Sequence, residues 1–128
     1  MALVLCTGID TALLHTRKLI LERAGHTVLT ATSERELVAA CEKHRFDVAV
    51  IGQTVSPRMK RTIASLIRSH CRSARVLELY QRHEGKVLED ADSWMDVPAD
   101  VPHDLAERVT ELVEKNRAKV SDSGTPLD

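Results

Sequence analysis

The chain has 128 residues, of which 29% are charged and 43% are hydrophobic, and this is the composition of one soluble globular domain. Its 18 Lys and Arg residues balance 19 Asp and Glu residues, so the formal net charge of -1 does not favour nucleic acid as a partner. No apolar run approaches the ~20 residues of a membrane span, and the first residues lack the basic region and cleavage site of a signal peptide. We therefore expect a cytoplasmic protein with neither nucleic acid nor membrane as a partner.

The three cysteines, Cys6, Cys41 and Cys71, are far apart and odd in number. No Cys-x-x-Cys pair occurs, and the six histidines do not have the spacing of zinc ligands. We expect the cysteines to be reduced, buried side chains. The sequence thus predicts no disulfide framework, no metal site and no cofactor.

Short apolar runs alternate with segments of helical periodicity, as is typical of a parallel sheet covered by helices on both faces. The first apolar run spans residues 3–6 and precedes a helix that Asp10 caps and Gly25 ends. Residues 27–31 are rich in β-formers and predict a second strand.

Capping signals mark the next two helices. Ser33 with Glu36 forms a capping box, and Ser56 precedes Pro57, which is favoured at the first position of a helix. Between them, residues 46–51 form the most apolar run and are the best candidate for the central strand. The spacing of four apolar residues predicts the buried face of the helix after Pro57: Met59, Ile63, Leu66 and Ile67.

The last third of the chain continues the alternation. Residues 75–79 and 93–97 predict the fourth and fifth strands, and a short helix containing Gly85 is expected over residues 81–90. A final helix is predicted to begin at Pro102, with inward-facing Leu105, Val109, Leu112 and Val113. Residues 120–128 are expected to form a disordered tail.

Three segments resemble response-regulator receiver domains of the CheY-like family. Residues 21–28 (LERAGHTV) are similar to the junction of the family's first helix and second strand, and residues 46–51 (FDVAVI) to the strand that ends at the phosphoacceptor. Residues 91–98 (ADSWMDVP) resemble the fifth-strand run, which implies a cis Val97–Pro98 peptide. The resemblance implies an α/β, flavodoxin-like, doubly wound sheet of five parallel strands in the order 2-1-3-4-5 over residues 1–119.

The residues that the family needs for phosphoryl transfer are missing. As the resemblance implies, receivers use an acidic pair after strand 1 to hold Mg²⁺, an acceptor aspartate after strand 3, a Ser or Thr after strand 4 and a Lys after strand 5. Asp10 is expected to cap a helix and Asp47 to lie at the opposite end of the sheet, so neither replaces them. The corresponding positions fall on Thr7 and Gly8 (or Cys6 and Thr7), on Gly52 or Gln53, on Tyr80, and on Val97.

Charge is distributed unevenly along the chain. Residues 48–77 contain six basic side chains and no acid, whereas residues 84–107 contain eight acids and one lysine. Such polarity suits electrostatic steering of a protein partner or head-to-tail pairing of two copies, including a homodimer. The candidate interface residues are Trp94, Arg58, Arg61 and Arg68.

These observations predict a non-enzymatic, receiver-like signalling or adaptor module. It would act independently of phosphorylation, by protein–protein interaction, in a bacterial two-component-type pathway. The alternative is a flavodoxin-like domain that binds a small ligand of the FMN or nucleotide type at Thr7, Gly8 and Gly52, because residues 6–11 partly resemble a flavodoxin phosphate loop.

Overall fold

A computed structural model of the protein describes residues 2–97 and 103–124. Five parallel strands form one sheet in the order β2-β1-β3-β4-β5, and helices cover both of its faces. The predicted doubly wound fold and strand order are therefore confirmed. The elements are β1 (Leu3–Thr7), α1 (Thr11–Arg23), β2 (Thr27–Ala31), α2 (Glu34–Lys43), β3 (Val48–Ile51), α3 (Pro57–His70), β4 (Arg75–Gln81), β5 (Ser93–Val97) and α4 (His103–Gly124).

The first helix begins and ends at the predicted residues. The Asp10 carboxylate accepts hydrogen bonds from the backbone N–H groups of Ala12 at 3.0 Å and Leu13 at 3.1 Å. Gly25, with a φ of 97°, ends the helix in the left-handed region that glycine tolerates best. Asp10 is therefore the N-cap that the sequence predicted, and its carboxylate is occupied in that role.

The caps of α2 and α3 are also confirmed. The Ser33 hydroxyl accepts the N–H of Glu36 at 3.1 Å, and the Ser56 hydroxyl accepts the N–H of Met59 at 3.2 Å. The Glu36 carboxylate reaches one residue further than a capping box requires and accepts the N–H of Thr32 at 2.7 Å. These caps hold in place the loops that follow the carboxyl ends of β2 and β3.

Each face of the sheet has its own apolar cluster. Val4 and Cys6 point toward α1 and α4, whereas Leu5 and Ala49 point toward α2 and α3. The predicted inward face of the last helix is confirmed, since its four residues are buried against the first of these faces: Leu105, Val109, Leu112 and Val113.

The predicted helix over residues 81–90 is wrong. Strand β4 runs on to Gln81, one turn follows, and Gly85 ends that turn with a φ of 79°. The N–H groups of Val87 and Leu88 then donate to the buried carboxylate of Glu78 instead of to a preceding helical turn. Residues 82–92 thus cross from β4 to β5 without a helix, and we call them the fourth crossover.

The expectation of three reduced cysteines is also wrong. Cys41, in the last turn of α2, and Cys71, directly after α3, are joined by a disulfide with a Cα–Cα distance of 5.2 Å. Cys6 is free and buried. The disulfide could not be predicted from the sequence, because 30 residues separate two cysteines that meet only when α2 and α3 pack together.

The end of the chain is helical further than expected. Helix α4 continues to Gly124, past the boundary drawn at residue 119. The expectations for the Val97–Pro98 peptide, for Pro102 and for residues 125–128 lie outside the described residues. Among the helices of the described part, none has the length and apolar character needed to cross a membrane.

Candidate functional site

The carboxyl ends of β1 and β3 form the crevice at which ligands of this fold class bind. Thr7 ends β1, Gly8 follows it, and Gly52 follows β3. The N–H of Gly52 donates to the carbonyl of Thr7 at 3.0 Å, and the Thr7 hydroxyl donates to the carbonyl of Val50 at 2.9 Å. The structure therefore brings together the three predicted crevice residues.

Arg17, which the sequence argument missed, lies across this crevice. It projects from α1, only 8% of it is exposed, and its guanidinium donates a hydrogen bond to the side-chain carbonyl of Gln53. A Cβ atom added to Gly52 would lie 3.2 Å from the Arg17 guanidinium. The helical spacing of the sequence could have indicated its burial, because Arg17 lies on the same buried stripe of α1 as Leu14 and Leu21.

Burial governs the charges in the crevice. It lowers the pKa of the Arg17 guanidinium, while Cys6 and Asp10 act to raise that pKa again. It also raises the pKa of the Cys6 thiol to about 12, against the opposing effect of Arg17. Cys6 is therefore a protonated thiol at neutral pH and not an activated nucleophile.

The crevice does not fit the Mg²⁺ that receivers bind. Mg²⁺ prefers carboxylate oxygens, and of the crevice residues Thr7, Gly8, Asp10, Gly52 and Gln53 only Asp10 has a carboxylate, which caps α1. The Arg17 guanidinium adds a positive charge where the cation would bind. Across residues 2–97 and 103–124, no group of three or more His, Cys, Asp or Glu side chains could hold a metal ion.

The other two predicted positions lie further along the sheet. Tyr80 is half-buried near the end of β4 and is paired in register with Asp96, whose carboxylate accepts a hydrogen bond from Arg82 at 2.7 Å. This bond lowers the pKa of Asp96. Val97 ends β5 and packs against the apolar cluster beneath α1 and α4. Neither position offers the crevice a Ser or Thr hydroxyl or an ammonium group.

A small cavity opens beside the crevice, between the ends of β1 and β2 and helices α2 and α3. Its volume is about 250 Å³, and apolar side chains supply most of its wall, including Leu37, Met59 and Ile63. Ile9 lines it as well and is 63% exposed. Thr7 and Gly8 border both the cavity and the crevice, whereas Gly52 borders only the crevice.

Helix α3 turns a lysine inward. Lys60 and Glu78 form an ion pair at 2.8 Å in which the two side chains are 2% and 0% exposed, and Lys60 also donates to the carbonyl of Leu79 at 2.8 Å. Met59, predicted to be buried, is 37% exposed instead. Lys60 therefore lies in the interior and does not contribute to the basic surface predicted from residues 48–77.

The fourth crossover is attached to this pair. The Glu78 carboxylate accepts the N–H groups of Val87 and Leu88 at 2.8 to 3.1 Å, and the indole N–H of Trp94 donates to the carbonyl of Leu88 at 2.7 Å. The ammonium of Lys86 lies 4.7 Å from the centre of the Trp94 ring. Trp94 is thus a half-buried side chain at the edge of the core, and its polar group is used internally.

Of the four candidate interface residues, Arg61 and Arg68 lie together. They line an open groove between α3 and the fourth crossover, whereas Arg58 is exposed on α3 outside that groove. The basic and acidic surfaces are not separate, since Arg68 pairs with Asp90 at 3.1 Å across the groove. The charge polarity of the sequence is therefore partly neutralised within one molecule.

No family model matches the chain, and no curated protein is significantly similar to it. Solved structures are similar in fold. A response regulator receiver domain protein from Methanospirillum hungatei is 21% identical, has a TM-score of 0.72, and is matched over 93% of this chain and 98% of that chain. Response regulator TrrA from Thermotoga maritima, in complex with Mg²⁺ and beryllofluoride, is 20% identical with a TM-score of 0.72 over 88% and 99%.

A third solved structure, named adenylate cyclase and from Rhodopirellula baltica, is 19% identical with a TM-score of 0.78, and the match covers 95% of this chain and 94% of that chain. At these identities the likeness establishes the fold alone. The chain has the CheY-like receiver fold.

Proposed function

We propose that this chain is a receiver-like signalling module of a bacterial two-component-type pathway, which acts without phosphorylation and without enzymatic activity, by binding a protein partner. One observation carries the proposal. The guanidinium of Arg17, buried and hydrogen-bonded to Gln53, occupies the crevice in which a receiver would hold Mg²⁺ and the phosphoryl group.

Phosphoryl transfer to this crevice lacks both its acceptor and its cation. Gly52 has no side chain, and the amide of Gln53 accepts a hydrogen bond from Arg17 and has no carboxylate to form an acyl phosphate. Transfer also requires charge compensation around the equatorial oxygens, normally from a metal ion. The donor set described above does not suit Mg²⁺, so compensation is missing as well.

The fourth crossover supports a module with one fixed conformation. In receivers, as the resemblance implies, the Ser or Thr after strand 4 responds to the phosphoryl group. Here Tyr80 stands at that position, and the segment that follows is bound to the buried Glu78–Lys60 pair. A buried ion pair with further hydrogen bonds resists rearrangement, because moving either charge leaves the other unpaired. Recognition of a constant surface follows from this arrangement.

The first test is phosphorylation itself. The protein is incubated with Mg²⁺ and either acetyl phosphate or beryllofluoride, and it is followed by intact mass spectrometry and by amide NMR of Gly52 and Gln53. We expect no phosphoryl adduct and no change in these amide signals. The TrrA receiver, treated in parallel with Mg²⁺ and beryllofluoride, is the positive control. Stoichiometric modification of this chain would overturn the proposal.

The second test concerns the partner. Protein captured from the native cell by the wild-type chain is compared with protein captured by Arg61→Glu/Arg68→Glu. The matched control, Arg35→Glu/Lys43→Glu, makes the same charge change on exposed residues of α2. We expect a specific partner to be lost with the first variant and kept with the control. Equal capture by all three proteins would contradict a role for this surface.

The small cavity favours a second, narrower candidate function. Its volume of about 250 Å³ lies below the roughly 300 to 1,000 Å³ of ordinary ligand pockets, so a flavin or nucleotide is too large for it. Its apolar wall and the exposed Ile9 suit a small apolar molecule. Native mass spectrometry of the freshly purified protein tests this candidate. A bound molecule that Met59→Lys abolishes would support it.

A further inference from the structure

An open groove lies between α3 and the fourth crossover. Its volume is about 920 Å³, and small side chains of α3 form its floor: Ala64, Ser65 and Ser69. Arg61 and Arg68 on α3 and Arg72 just after it border this floor, and Lys86, Glu89 and Asp90 line the opposite wall. Small residues on a helix allow a second helix to approach closely, and the arginines around them select for negative charge.

The groove is open because the fourth crossover has no helix. Glu78 accepts the N–H groups of Val87 and Leu88 and so holds this segment against β4. Leu88 packs into the core there, and the side of α3 that faces the crossover remains exposed at Ser65 and Ser69. The surface is thus a fixed consequence of the buried ion pair and not a frayed edge.

The groove carries a net positive charge, because four basic side chains line it against two acidic ones, Glu89 and Asp90. Arg68 is paired with Asp90, but the two side chains are 40% and 71% exposed, and ion pairs of that kind contribute little. Arg61 and Arg72 have no ion pair with any residue in 2–97 or 103–117. An acidic partner would therefore supply the missing counter-charges.

The same chain carries a matching acidic surface. Glu107, Glu111 and Glu114 are exposed on α4 at positions i, i+4 and i+7, so they lie along one side of the helix. Glu111 also pairs with Arg108 at 3.6 Å, but this ion pair is exposed and contributes little. At 1.5 Å per residue they span about 10 Å, and the part of α3 from Arg61 to His70 spans about 14 Å. The acidic stripe therefore fits within the length of the basic groove.

We infer that the protein associates head-to-tail with a second copy of itself, the acidic stripe of α4 on one copy binding the basic groove of α3 on the next. Helices α3 and α4 lie on opposite faces of the sheet. Each copy thus offers both halves of the contact on opposite sides, and the contact is heterologous, which permits chains of more than two copies. This inference rests on the proposed function's use of the same groove, and it names a second copy of the chain as the occupant.

Sedimentation velocity tests the inference on the intact chain over roughly a hundredfold range of concentration. We expect the wild-type protein to associate as concentration rises. The apparent dissociation constant should increase at least about tenfold between ~50 mM and ~500 mM NaCl, because exposed charges are screened by salt. Arg61→Glu/Arg72→Glu and Glu107→Lys/Glu114→Lys should each remain monomeric. Arg35→Glu/Lys43→Glu should associate as the wild type does.

Mixing two interface variants is the sharper experiment. It uses neutral variants, because a lysine stripe and a glutamate groove would attract each other: Glu107→Gln/Glu114→Gln keeps an intact groove, and Arg61→Gln/Arg72→Gln keeps an intact acidic stripe, so one native contact can form between them. An equimolar mixture should give dimers and nothing larger. Circular dichroism checks that both variants fold.

Three outcomes would overturn the inference: a wild-type protein that stays monomeric at low salt, interface variants that associate as strongly as the wild type, or a mixture that stays monomeric. A monomeric wild-type protein would leave the groove to an acidic segment of a different protein. That result would leave the proposal of phosphorylation-independent signalling standing, since mass spectrometry tests it separately.

Discussion

The two faces of the sheet are built differently. Beneath α1 and α4 the cluster that contains Val4, Leu21 and Val109 is apolar, and the buried charge of α1, Arg17, lies in the crevice. Beneath α2, α3 and the fourth crossover, an apolar cluster surrounds a buried ion pair, Lys60–Glu78, and is cross-linked by a disulfide. The first face is covered by complete helices, whereas the second lacks a helix between β4 and β5.

This difference shows what a sheet needs when a covering helix is absent. A helix satisfies its own backbone groups, but an extended segment packed on a sheet leaves N–H groups that need partners. Glu78 provides acceptors for two of them, and Lys60 neutralises the charge that this brings into the core. On this face the Glu78 carboxylate, neutralised by Lys60, therefore accepts N–H groups that a helix would pair with its own carbonyls.

The largest effect is expected from breaking the ion pair. Lys60→Met leaves the Glu78 carboxylate buried and unpaired, which should lower the free energy of unfolding by about 3 to 5 kcal/mol. The matched substitution on the other face, Leu112→Met, should cost less than about 1.5 kcal/mol because it conserves volume in an apolar site. Urea denaturation measures both.

Adding Glu78→Gln to Lys60→Met should recover part of that loss, because the amide removes the unpaired charge and still accepts a hydrogen bond. If Lys60→Met is no more destabilising than Leu112→Met, the ion pair does not make the second face differ from the first in stability.

The disulfide should contribute the next largest effect. Its removal by Cys41→Ala/Cys71→Ala, or its reduction by dithiothreitol, should lower the free energy of unfolding by about 2 to 4 kcal/mol, since the closed loop no longer restricts the unfolded chain. Denaturation with and without dithiothreitol gives the value, and the double variant, insensitive to the reductant, is the control. A thiol assay that finds three free cysteines in the native protein would refute the cross-link.

A smaller loss is expected at the crevice. A Cβ at position 52 would lie 3.2 Å from both the Arg17 guanidinium and the Thr7 carbonyl, so Gly52→Ala should cost about 1 to 2 kcal/mol. Gly8→Ala is the control, because its added Cβ would meet Leu14 at an ordinary 3.7 Å. Thermal unfolding compares the two, and equal melting temperatures would show that Arg17 does not fill the crevice.

The smallest effect is a pH dependence on the apolar face. Burial lowers the pKa of His26 below 6.5, Arg117 lowers it further, and Asp47 opposes them. The unfolded chain then binds more protons than the folded one, so stability is full above about pH 6.5 and falls as the pH drops from there through the folded pKa. Urea denaturation from pH 7.5 to 5.5 should show a smaller loss for His26→Gln than for the wild type. An identical loss in both would exclude His26 as the cause.

The parts of the fold that depend on local chemistry could be predicted from the sequence. Apolar runs and caps identified the strands and the starts of three helices at Asp10, Ser33 and Ser56, because a cap bonds only to residues two or three positions away. The strand order agreed with the resemblance to receivers. The crevice position of Thr7, Gly8 and Gly52 followed from that order.

The features that were predicted wrongly depend on contacts between residues far apart in the chain. Residues 81–90 have helical character locally, but Glu78 captures the N–H groups that a helix would use, and no periodicity reveals this. The partners Cys41 and Cys71 are separated by 30 residues. Lys60 was counted with the surface because charge usually lies there, although it shares the buried stripe of α3 with Ile63 and Ile67.

Arg17 also opposes the introduction of a receiver's phosphoacceptor into this crevice. Reinstating an aspartate by Gly52→Asp would place its carboxylate beside a resident guanidinium. The new acid would be neutralised by its neighbour before it could ligate a cation or attack a phosphoryl donor. Phosphoryl chemistry in this crevice would need at least two simultaneous changes, one to supply the acid and one to remove the guanidinium, and neither made singly is expected to supply it.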